Sequence, residues 1–330
     1  MTDASRTRTR PTAPLRAPHR LASLLGAARR HGPLRTAVVH PVDAASLRGA
    51  IAAERAGLIT PVLIGPERRI RAAARAAHIN LAGRVIRATE HSHAAAAEAV
   101  QMARRLEVDA IMKGALHTDE LMHCVIDPDS GLRTERRISH VFAIDTPHYP
   151  RLLFITDAAV NIYPSLEDKR DIVQNAIDLA RTLGVRTPRV AILSAVELVT
   201  AKIRSTLDAA ALCKMADRGQ ITGGTLDGPL AFDNAVSRAA AATKAITSSV
   251  AGRADIIVVP DLEAGNMLAK QLEYLAGAQL AGIVLGARVP IMLTSRADDT
   301  RTRLASCAIA VLLRAHSEVA RRTARADQAG

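Results

Sequence analysis

The 330-residue chain has very few aromatic side chains: no Trp, three Phe and three Tyr. Proteins that bind single-stranded nucleic acid stack successive bases on aromatic rings, and this chain offers few such rings. The shortage argues against single-strand binding. Hydrophobic residues still make up 48% of the sequence, so aliphatic side chains must form most of the core.

Cysteine is also scarce. The three cysteines, Cys124, Cys213 and Cys307, lie far apart and form no C-x-x-C pair. This spacing argues against a disulfide framework and a zinc site, and it is typical of a reducing compartment. We therefore expect a cytoplasmic protein without a metal site. No secretory signal and no apolar run near the ~18 residues of a membrane span are present, so no membrane association is expected.

Three motifs of nucleotide-binding proteins and hydrolases are absent from the sequence. It contains no GxxxxGK[ST] loop, no GxGxxG turn after a predicted strand and no GxSxG elbow. Their absence leaves a P-loop ATPase, a Rossmann dinucleotide site and an α/β-hydrolase without support.

The formal net charge of +12 is unevenly distributed. The first 35 residues contain eight arginines and one aspartate, which leaves the rest of the chain only mildly basic. This leader is rich in Arg, Thr, Ala and Pro and has too little apolar surface to fold alone. We predict a disordered basic tail over residues 1–33 and no specific nucleic-acid binding. A basic nucleic-acid-binding or scaffold protein is the alternative from a different functional class.

From about residue 36, short apolar runs alternate with longer amphipathic segments. Many runs are apolar without alternation, as expected for strands that helices cover on both faces. In the helix predicted over 165–184, Ser165 is placed as an N-cap and Gly184 follows the last turn. The alternation predicts an α/β fold with mainly parallel sheets. The predicted strands are 36–41, 60–65, 109–114, 151–158, 189–195, 255–262, 281–286 and 290–295.

Small, polar or charged residues follow nearly every predicted strand. Ligands of open α/β sheets bind beyond the carboxyl ends of the strands, so these segments predict a polar cleft. Arg133 and Arg296 suit an anion, because a guanidinium binds phosphate through two N–H groups and stays charged. The segments are HPVD (40–43), KGALHTDE (113–120), TDAAVN (156–161), LSAVE (193–197), PDLEAGN (260–266) and TSRADD (294–299).

Long blocks in the middle and C-terminal parts of the chain match one family pattern. They are KGALHTDELM, GLRTERRISHVF, TDAAVNIYPSLEDKRDIVQNAIDLA, DGPLAFDNAVS, VAGRADIIVVPDLEAGNMLAKQL and VPIMLTSRAD. In this order they resemble the phosphate acetyltransferase/phosphate butyryltransferase family, from about residue 37 to residue 316. The resemblance implies the exchange acyl-CoA + phosphate ⇌ acyl phosphate + CoA. Coenzyme A is then a substrate, and no tightly bound cofactor is expected.

The resemblance also implies an architecture. Such enzymes have two mainly parallel α/β domains around a cleft, like isocitrate and isopropylmalate dehydrogenases, and typically form homodimers. We expect the first domain to contain residues 34–145 and 283–330, and the second to contain residues 146–282.

Roles for individual residues follow from the same resemblance. Ser295 would stabilise the tetrahedral centre that forms on the acyl carbon, and Arg296 would hold the phosphate. Arg133, in GLRT, matches a second phosphate-binding arginine of the family.

The thiol-activating base departs from the family pattern. Acetyltransferases of the family place an aspartate about two helical turns beyond the serine, where this chain has Thr302, which is unable to act as that base. We hypothesise that Asp299 takes the role, with Asp298 second. Capping of the following helix is an equally weighted role for both aspartates.

Acetyl transfer is the favoured activity, and transfer of a butyryl or another short acyl group is the alternative. The two differ only in pocket volume, and TSRAD resembles the butyryl branch at least as well. A metal- and NAD-dependent decarboxylating dehydrogenase on the similar fold would need a cluster of metal-binding aspartates and a nicotinamide site, and the sequence displays neither.

Overall fold

Strands and helices alternate along residues 20–295 and 298–327, the part of the chain that the computed structural model describes. The strands are β1 (Leu34–Val39), β2 (Ile59–Gly65), β3 (Val85–Ala88), β4 (Ala110–Lys113), β5 (Ser139–Asp145), β6 (Leu153–Thr156), β7 (Arg189–Leu193), β8 (Thr225–Leu230), β9 (Ile256–Val258), β10 (Gln279–Leu285) and β11 (Ile291–Met292). The helices are α1 (Arg20–Arg29), α2 (Ala44–Arg55), α3 (Glu67–Ala76), α4 (Ser92–Arg104), α5 (Thr118–Ile126), α6 (Leu166–Thr182), α7 (Arg204–Asp217), α8 (Phe232–Val236), α9 (Arg238–Thr243), α10 (Leu262–Ala276) and α11 (Thr300–Asp327).

The strands form one sheet in the order β3-β2-β1-β4-β11-β10-β5-β6-β9-β7-β8. Neighbours are parallel at both ends of the sheet. Only the centre is antiparallel, where β10 pairs with β11 and β5, and β5 pairs with β6. The prediction of a mainly parallel α/β fold is confirmed, and each of the eight predicted strands overlaps an observed one.

Side-chain caps start three of the helices that follow strands, α2, α6 and α10. In α6, Ser165 Oγ accepts a hydrogen bond from Asp168 N–H at 3.1 Å, and Asp168 Oδ2 accepts one from Ser165 N–H at 3.0 Å. This reciprocal capping box satisfies two backbone donors at the positive end of the helix dipole. Asp43 and Asp261 cap α2 and α10 in the simpler way, each by accepting one backbone N–H at the third position. The predicted N-cap at Ser165 is therefore confirmed.

Aliphatic side chains fill both faces of the sheet, as the composition predicts. Three buried clusters contain mainly Ala, Val, Leu and Ile, and Phe154 is the largest fully buried side chain. One cluster joins α2, α6 and α11 across one face, so the C-terminal helix packs beside the N-terminal strands. This packing brings the start of α11 next to α2.

Part of the segment predicted to be a disordered tail forms helix α1 instead. Leu21 and Ala28 of α1 are buried. The buried carboxylate of Asp145, at the end of β5, accepts hydrogen bonds from the backbone N–H groups of Arg20 and Leu21. Asp145 also forms a 2.8 Å ion pair with the Arg20 side chain. A distant residue thus supplies the cap that local composition lacks, while residues 1–19 lie outside the described part.

The predicted domain boundaries fall within this continuous sheet. The boundary at 145/146 separates the paired strands β5 and β6, and the boundary at 282/283 lies inside β10. The division into two domains stays a prediction. In the part of the chain that the structure describes, no helix combines the length and apolar character needed to cross a membrane.

Candidate active site

A hollow of about 330 Å³ lies beyond the carboxyl ends of β4, β6 and β11. Four of the six polar strand-end segments from the sequence contribute to it: 113–120, 156–161, 260–266 and 294–299. Side chains far apart in sequence therefore meet at one edge of the sheet, as the rule for open α/β sheets predicts. The lining residues are Lys113, Leu116, His117, Thr118, Phe142, Ala159, Asn266, Lys270, Leu293, Thr294, Ser295 and Asp298.

The wall of this hollow combines cations with apolar side chains. Lys113 is buried at the end of β4, and its Nζ donates to the carbonyl oxygen of Thr294 at 3.4 Å. Lys270 extends from α10 and forms a 2.8 Å ion pair with Glu273. Leu116 and Phe142 supply part of the apolar surface. Such a wall suits a small molecule that has one anionic end and one short apolar end.

Ser295 lies where the chain leaves β11 and enters the helix α11. Leu293 and Thr294 before it are buried, whereas Ser295 is exposed in the hollow. Its backbone N–H donates to Asp298 Oδ2 at 2.7 Å. Arg296, the predicted phosphate ligand, lies with Ala297 outside the described residues.

Asp298 lines the same hollow as Ser295 and is half-buried. Burial raises the pKa of its carboxyl above the ordinary value, although the Ser295 N–H and the Lys270 ammonium oppose the rise. A carboxylate with a raised pKa is a stronger base than a solvated one. Its position and its basicity both suit proton transfer inside the hollow.

Asp299 has a different position. It is exposed, it does not line the hollow, and its Oδ1 accepts the backbone N–H of Thr302 at 2.8 Å. This contact caps the first turn of α11. The structure therefore separates the two neighbouring aspartates, with Asp298 in the hollow and Asp299 at the helix terminus.

Arg133 lies in a second hollow of about 360 Å³, together with Arg136, Arg137 and Arg170. Its neighbours Arg137 and Arg170 are paired with Asp168 and Asp171. The guanidinium of Arg133 itself has no hydrogen bond or ion pair within residues 20–295 and 298–327. The structure thus brings Ser295 and Asp298 together and places Arg133 in a separate space.

One loop borders both hollows. Ala159 lines the first hollow, whereas Val160 and Asn161 line the second. The buried carboxylate of Asp157 orders this loop by accepting the N–H groups of Ala159 and Val160, each at 2.9 Å, and the Asn161 amide at 2.6 Å. Burial raises the Asp157 pKa while these hydrogen bonds oppose the rise. The second hollow is therefore a neighbour of the first across a single ordered loop.

Sequence reasoning assigned no role to three residues in or beside the first hollow. Lys113 and Lys270 stand in its wall, and Arg303 of α11 contacts Thr294 and Ser295 from behind. Lys113 lies in a polar strand-end segment that the sequence did single out, whereas Lys270 and Arg303 occupy ordinary helix positions. No group of three His, Cys, Asp or Glu residues in the described ranges is arranged to hold a metal ion.

Comparison with known proteins identifies close relatives. A family model described as "Phosphate acetyl/butaryl transferase" matches residues 86–311. The chain is 61% identical over 303 residues to a phosphate acetyltransferase of Rhizobium meliloti, covering 92% of this chain and 96% of the relative. A phosphate acetyltransferase of Rickettsia felis is 58% identical over 287 residues, covering 87% of this chain and 82% of the relative. A phosphate butyryltransferase of Clostridium beijerinckii is 40% identical over 257 residues, covering 78% of this chain and 85% of the relative.

Solved structures with a similar fold include a phosphotransacylase. A branched-chain phosphotransacylase from Enterococcus faecalis superposes with a TM-score of 0.74 at 26% identity, over 85% of this chain and 99% of the other. A 4-hydroxythreonine-4-phosphate dehydrogenase from Salmonella typhimurium has a TM-score of 0.51 at 13% identity, over 84% of this chain and 99% of the other. The latter likeness concerns the fold alone and supports the predicted dehydrogenase-like architecture. The sequence blocks, the matched family model and these relatives together show that the chain belongs to the phosphate acetyltransferase/phosphate butyryltransferase family.

Proposed function

We propose that this chain is a phosphate acetyltransferase, which interconverts acetyl-CoA + phosphate and acetyl phosphate + CoA. The observation that carries the proposal is 61% identity to the Rhizobium meliloti phosphate acetyltransferase along 96% of that protein. The phosphate butyryltransferases of Clostridium beijerinckii and Clostridium acetobutylicum are less similar, at 40% and 45% identity. Coenzyme A enters as a substrate.

The first hollow has the chemistry that this exchange needs. Acetyl phosphate is an anion with one small apolar group, and the hollow combines Lys113 and Lys270 with apolar side chains such as Leu116. The start of α11 lies beside it, and the N–H groups at a helix N-terminus favour an anion. The phosphoryl group would lie near the cations, and the acetyl methyl group near the apolar wall.

The proposed reaction exchanges one bond at the acyl carbon. The CoA thiol has a pKa of ~8.5 and transfers its proton to the Asp298 carboxylate. At the same time the CoA sulfur attacks the carbonyl carbon. The new C–S bond forms while the electron pair of the carbonyl moves onto its oxygen, and the Ser295 hydroxyl donates a hydrogen bond to that oxygen. Collapse of this tetrahedral species breaks the C–O bond and releases phosphate. One such donor lowers the barrier by roughly 3 kcal/mol.

The position of the two aspartates supports Asp298 as the base in preference to Asp299. Asp298 lines the hollow with Ser295, whereas Asp299 caps α11. This order reverses the one hypothesised from the sequence. Arg296 keeps its proposed role as the phosphate ligand by resemblance to the family. Arg133 keeps a proposed role as a second anion-binding arginine, from the hollow across the 157–161 loop.

We also propose that the chain acts as a cytoplasmic homodimer. Family resemblance supports a dimer, and α10 presents a surface that would suit one, since Met267, Tyr274 and Leu275 are 58%, 69% and 85% exposed. The free cysteines suit a reducing compartment. Light scattering from the purified chain should give twice the chain mass, and a monomer mass at micromolar concentration would contradict the dimer.

The first prediction concerns the activity and its acyl preference. The purified chain should form a CoA thioester from acetyl phosphate and CoA, with a kcat/KM at least about tenfold above that for butyryl phosphate, because two methylenes alter the fit to the pocket. Thioester formation is followed by absorbance, with released phosphate as an independent readout. Equal or better use of butyryl phosphate would assign the chain to the alternative activity, and no thioester from either would refute acyl transfer.

The second prediction separates the two aspartates. Asp298→Asn should lower kcat by about 10²-fold or more, because the amide is unable to accept the thiol proton. In the unmodified chain activity should rise as the pH passes the raised pKa of Asp298, since only the carboxylate is a base. Asp298→Asn should lose this rise.

Asp299→Asn is the matched control for that variant. Asn is as good an N-cap as Asp, so this variant should keep both kcat and its pH profile. Loss of the acidic limb in Asp299→Asn, with Asp298→Asn unaffected, would restore Asp299 as the base.

The third prediction concerns Arg296. Arg296→Ala should lower kcat/KM for acetyl phosphate by about 10²-fold or more, because it removes the guanidinium proposed to bind the phosphoryl group. The KM for CoA should change little. Arg301→Ala removes an exposed arginine from the first turn of α11 and should leave both parameters close to those of the parent chain. An equal loss for CoA and for acetyl phosphate would contradict a phosphate-specific role.

A further inference from the structure

The side chain of Arg303 connects helix α11 to the end of β11. Arg303 is only 3% exposed. Its Nη1 donates to Thr294 Oγ1 at 3.0 Å, and its Nη2 donates to the Ser295 carbonyl oxygen at 3.0 Å. The planar guanidinium is thus used in a two-pronged way on two consecutive residues of one segment, a geometry that a lysine is unable to reproduce.

Two charged side chains bind the backbone of Ser295, one at its N–H group and the other at its carbonyl group. Arg303 holds the carbonyl group of Ser295, while Asp298 accepts its backbone N–H at 2.7 Å. Hydrogen bonds to charged groups are about twice as strong as neutral ones. The backbone at Ser295 is therefore fixed at both of its polar groups, and this fixes the direction of the Cα–Cβ bond that carries the hydroxyl.

A glycine in α2 provides the space for Arg303. A Cβ atom at Gly49 would lie 2.3 Å from Cδ of Arg303 and 3.3 Å from its Nε. Gly49 is buried, and the Arg303 side chain is held at its far end by two hydrogen bonds. The arginine would have to leave its partners to avoid the added methyl group. Helix propensity favours Ala over Gly by about 1 kcal/mol, so the glycine at this position runs against local preference.

We propose that Arg303 is a positioning residue, because it holds Ser295 in the orientation that acyl transfer requires. Gly49 provides the space that the Arg303 side chain needs. This inference rests on the proposed function. It adds two residues, neither of which lines the hollow, to the set on which turnover depends. Arg303 acts through Ser295 and does not itself contact the reacting atoms.

Arg303 also contributes charge to the surroundings of Asp298. The charged groups that face Asp298 are Lys270 and Glu273 from α10 and Arg303 from α11, with Lys113 and His117 in the wall of the same hollow. Burial lowers the pKa of Arg303, and the carboxylates of Asp298 and Asp43 oppose that change, but a guanidinium stays charged at any working pH. Removal of this cation would therefore raise the Asp298 pKa.

Two substitutions of Arg303 separate its geometry from its charge. Arg303→Lys keeps a cation but loses the two-pronged hold, and Arg303→Met loses both. We expect kcat to fall by about 10²-fold in each, because a misplaced reacting group costs about that much, with the KM for CoA little changed. The acidic limb of the kcat–pH profile should keep its position in Arg303→Lys and move to higher pH in Arg303→Met.

Gly49→Ala tests the same arrangement with Arg303 still present. In the parent chain, Gly49→Ala should lower kcat to about the level found for Arg303→Lys. In a chain that already carries Arg303→Met, it should cause no further loss of kcat. Such non-additivity is expected when two residues act through one contact. Gly26→Ala is the matched control, since Gly26 also lies within a helix but has nothing within 4 Å of an added Cβ. It should leave kcat unchanged in both backgrounds.

The inference is overturned if both Arg303 variants keep kcat within about twofold of the parent while circular dichroism reports a native fold. It is also overturned if Gly49→Ala lowers kcat equally with and without Arg303. If Arg303→Met fails to fold, Arg303→Lys and Gly49→Ala decide alone. Failure of the parent chain to form acetyl-CoA would refute the proposed function instead, so the two failures are distinguishable.

Discussion

The site depends on how the chain is held where β11 gives way to α11. At this point a buried strand must end, turn and enter a helix of 28 residues, and the turn has to leave Ser295 in the hollow. Asp298 and Arg303 bind the two backbone polar groups of Ser295, while Asp299 caps the helix. Three charged side chains within six residues thus fix one peptide segment. Fixed dipoles stabilise a developing charge without reorganisation, which is why rigidity here matters for chemistry.

The sheet topology explains why this turn faces other polar segments. β11 pairs in parallel with β4, so Thr294 and Ser295 emerge at the same edge as Lys113. The central antiparallel strands β10 and β5 connect this half of the sheet to β6, whose following loop carries Ala159 into the hollow and Asn161 into its neighbour. The loop ordered by Asp157 therefore forms part of the wall of both hollows, and each hollow suits an anion. Residues from four separate stretches of sequence meet because parallel strands end at one edge.

Sequence patterns predicted most of this architecture, and the exceptions have physical causes. Each of the eight predicted strands overlaps an observed one, whereas β3, β5 and β8 were missed. β3 and β8 are the edge strands, which tolerate charge, Gly and Pro. The central strand β5 was missed because the buried polar residues Ser139, His140 and Asp145 shorten its apolar run. The sequence singled out Ser295 and Asp298, and both line the same hollow. Which of the two aspartates, Asp298 or Asp299, lies in that hollow depends on where α11 begins. The sequence of α11 does not reveal that Arg303 is buried, because its hydrogen-bond partners Thr294 and Ser295 precede the helix and the space for its side chain is left by Gly49, which is distant in sequence. Local composition likewise missed α1, since its cap is Asp145.

The central claim is that acyl transfer takes place in the hollow beside Ser295 and Asp298. A crystal structure of the chain with CoA and phosphate bound would test it most directly. The account predicts the CoA sulfur in this hollow, within about 3 Å of the Asp298 carboxylate, with the phosphate next to Ser295. A CoA sulfur located in another cavity, with Asp298 directed away from both ligands, would contradict it.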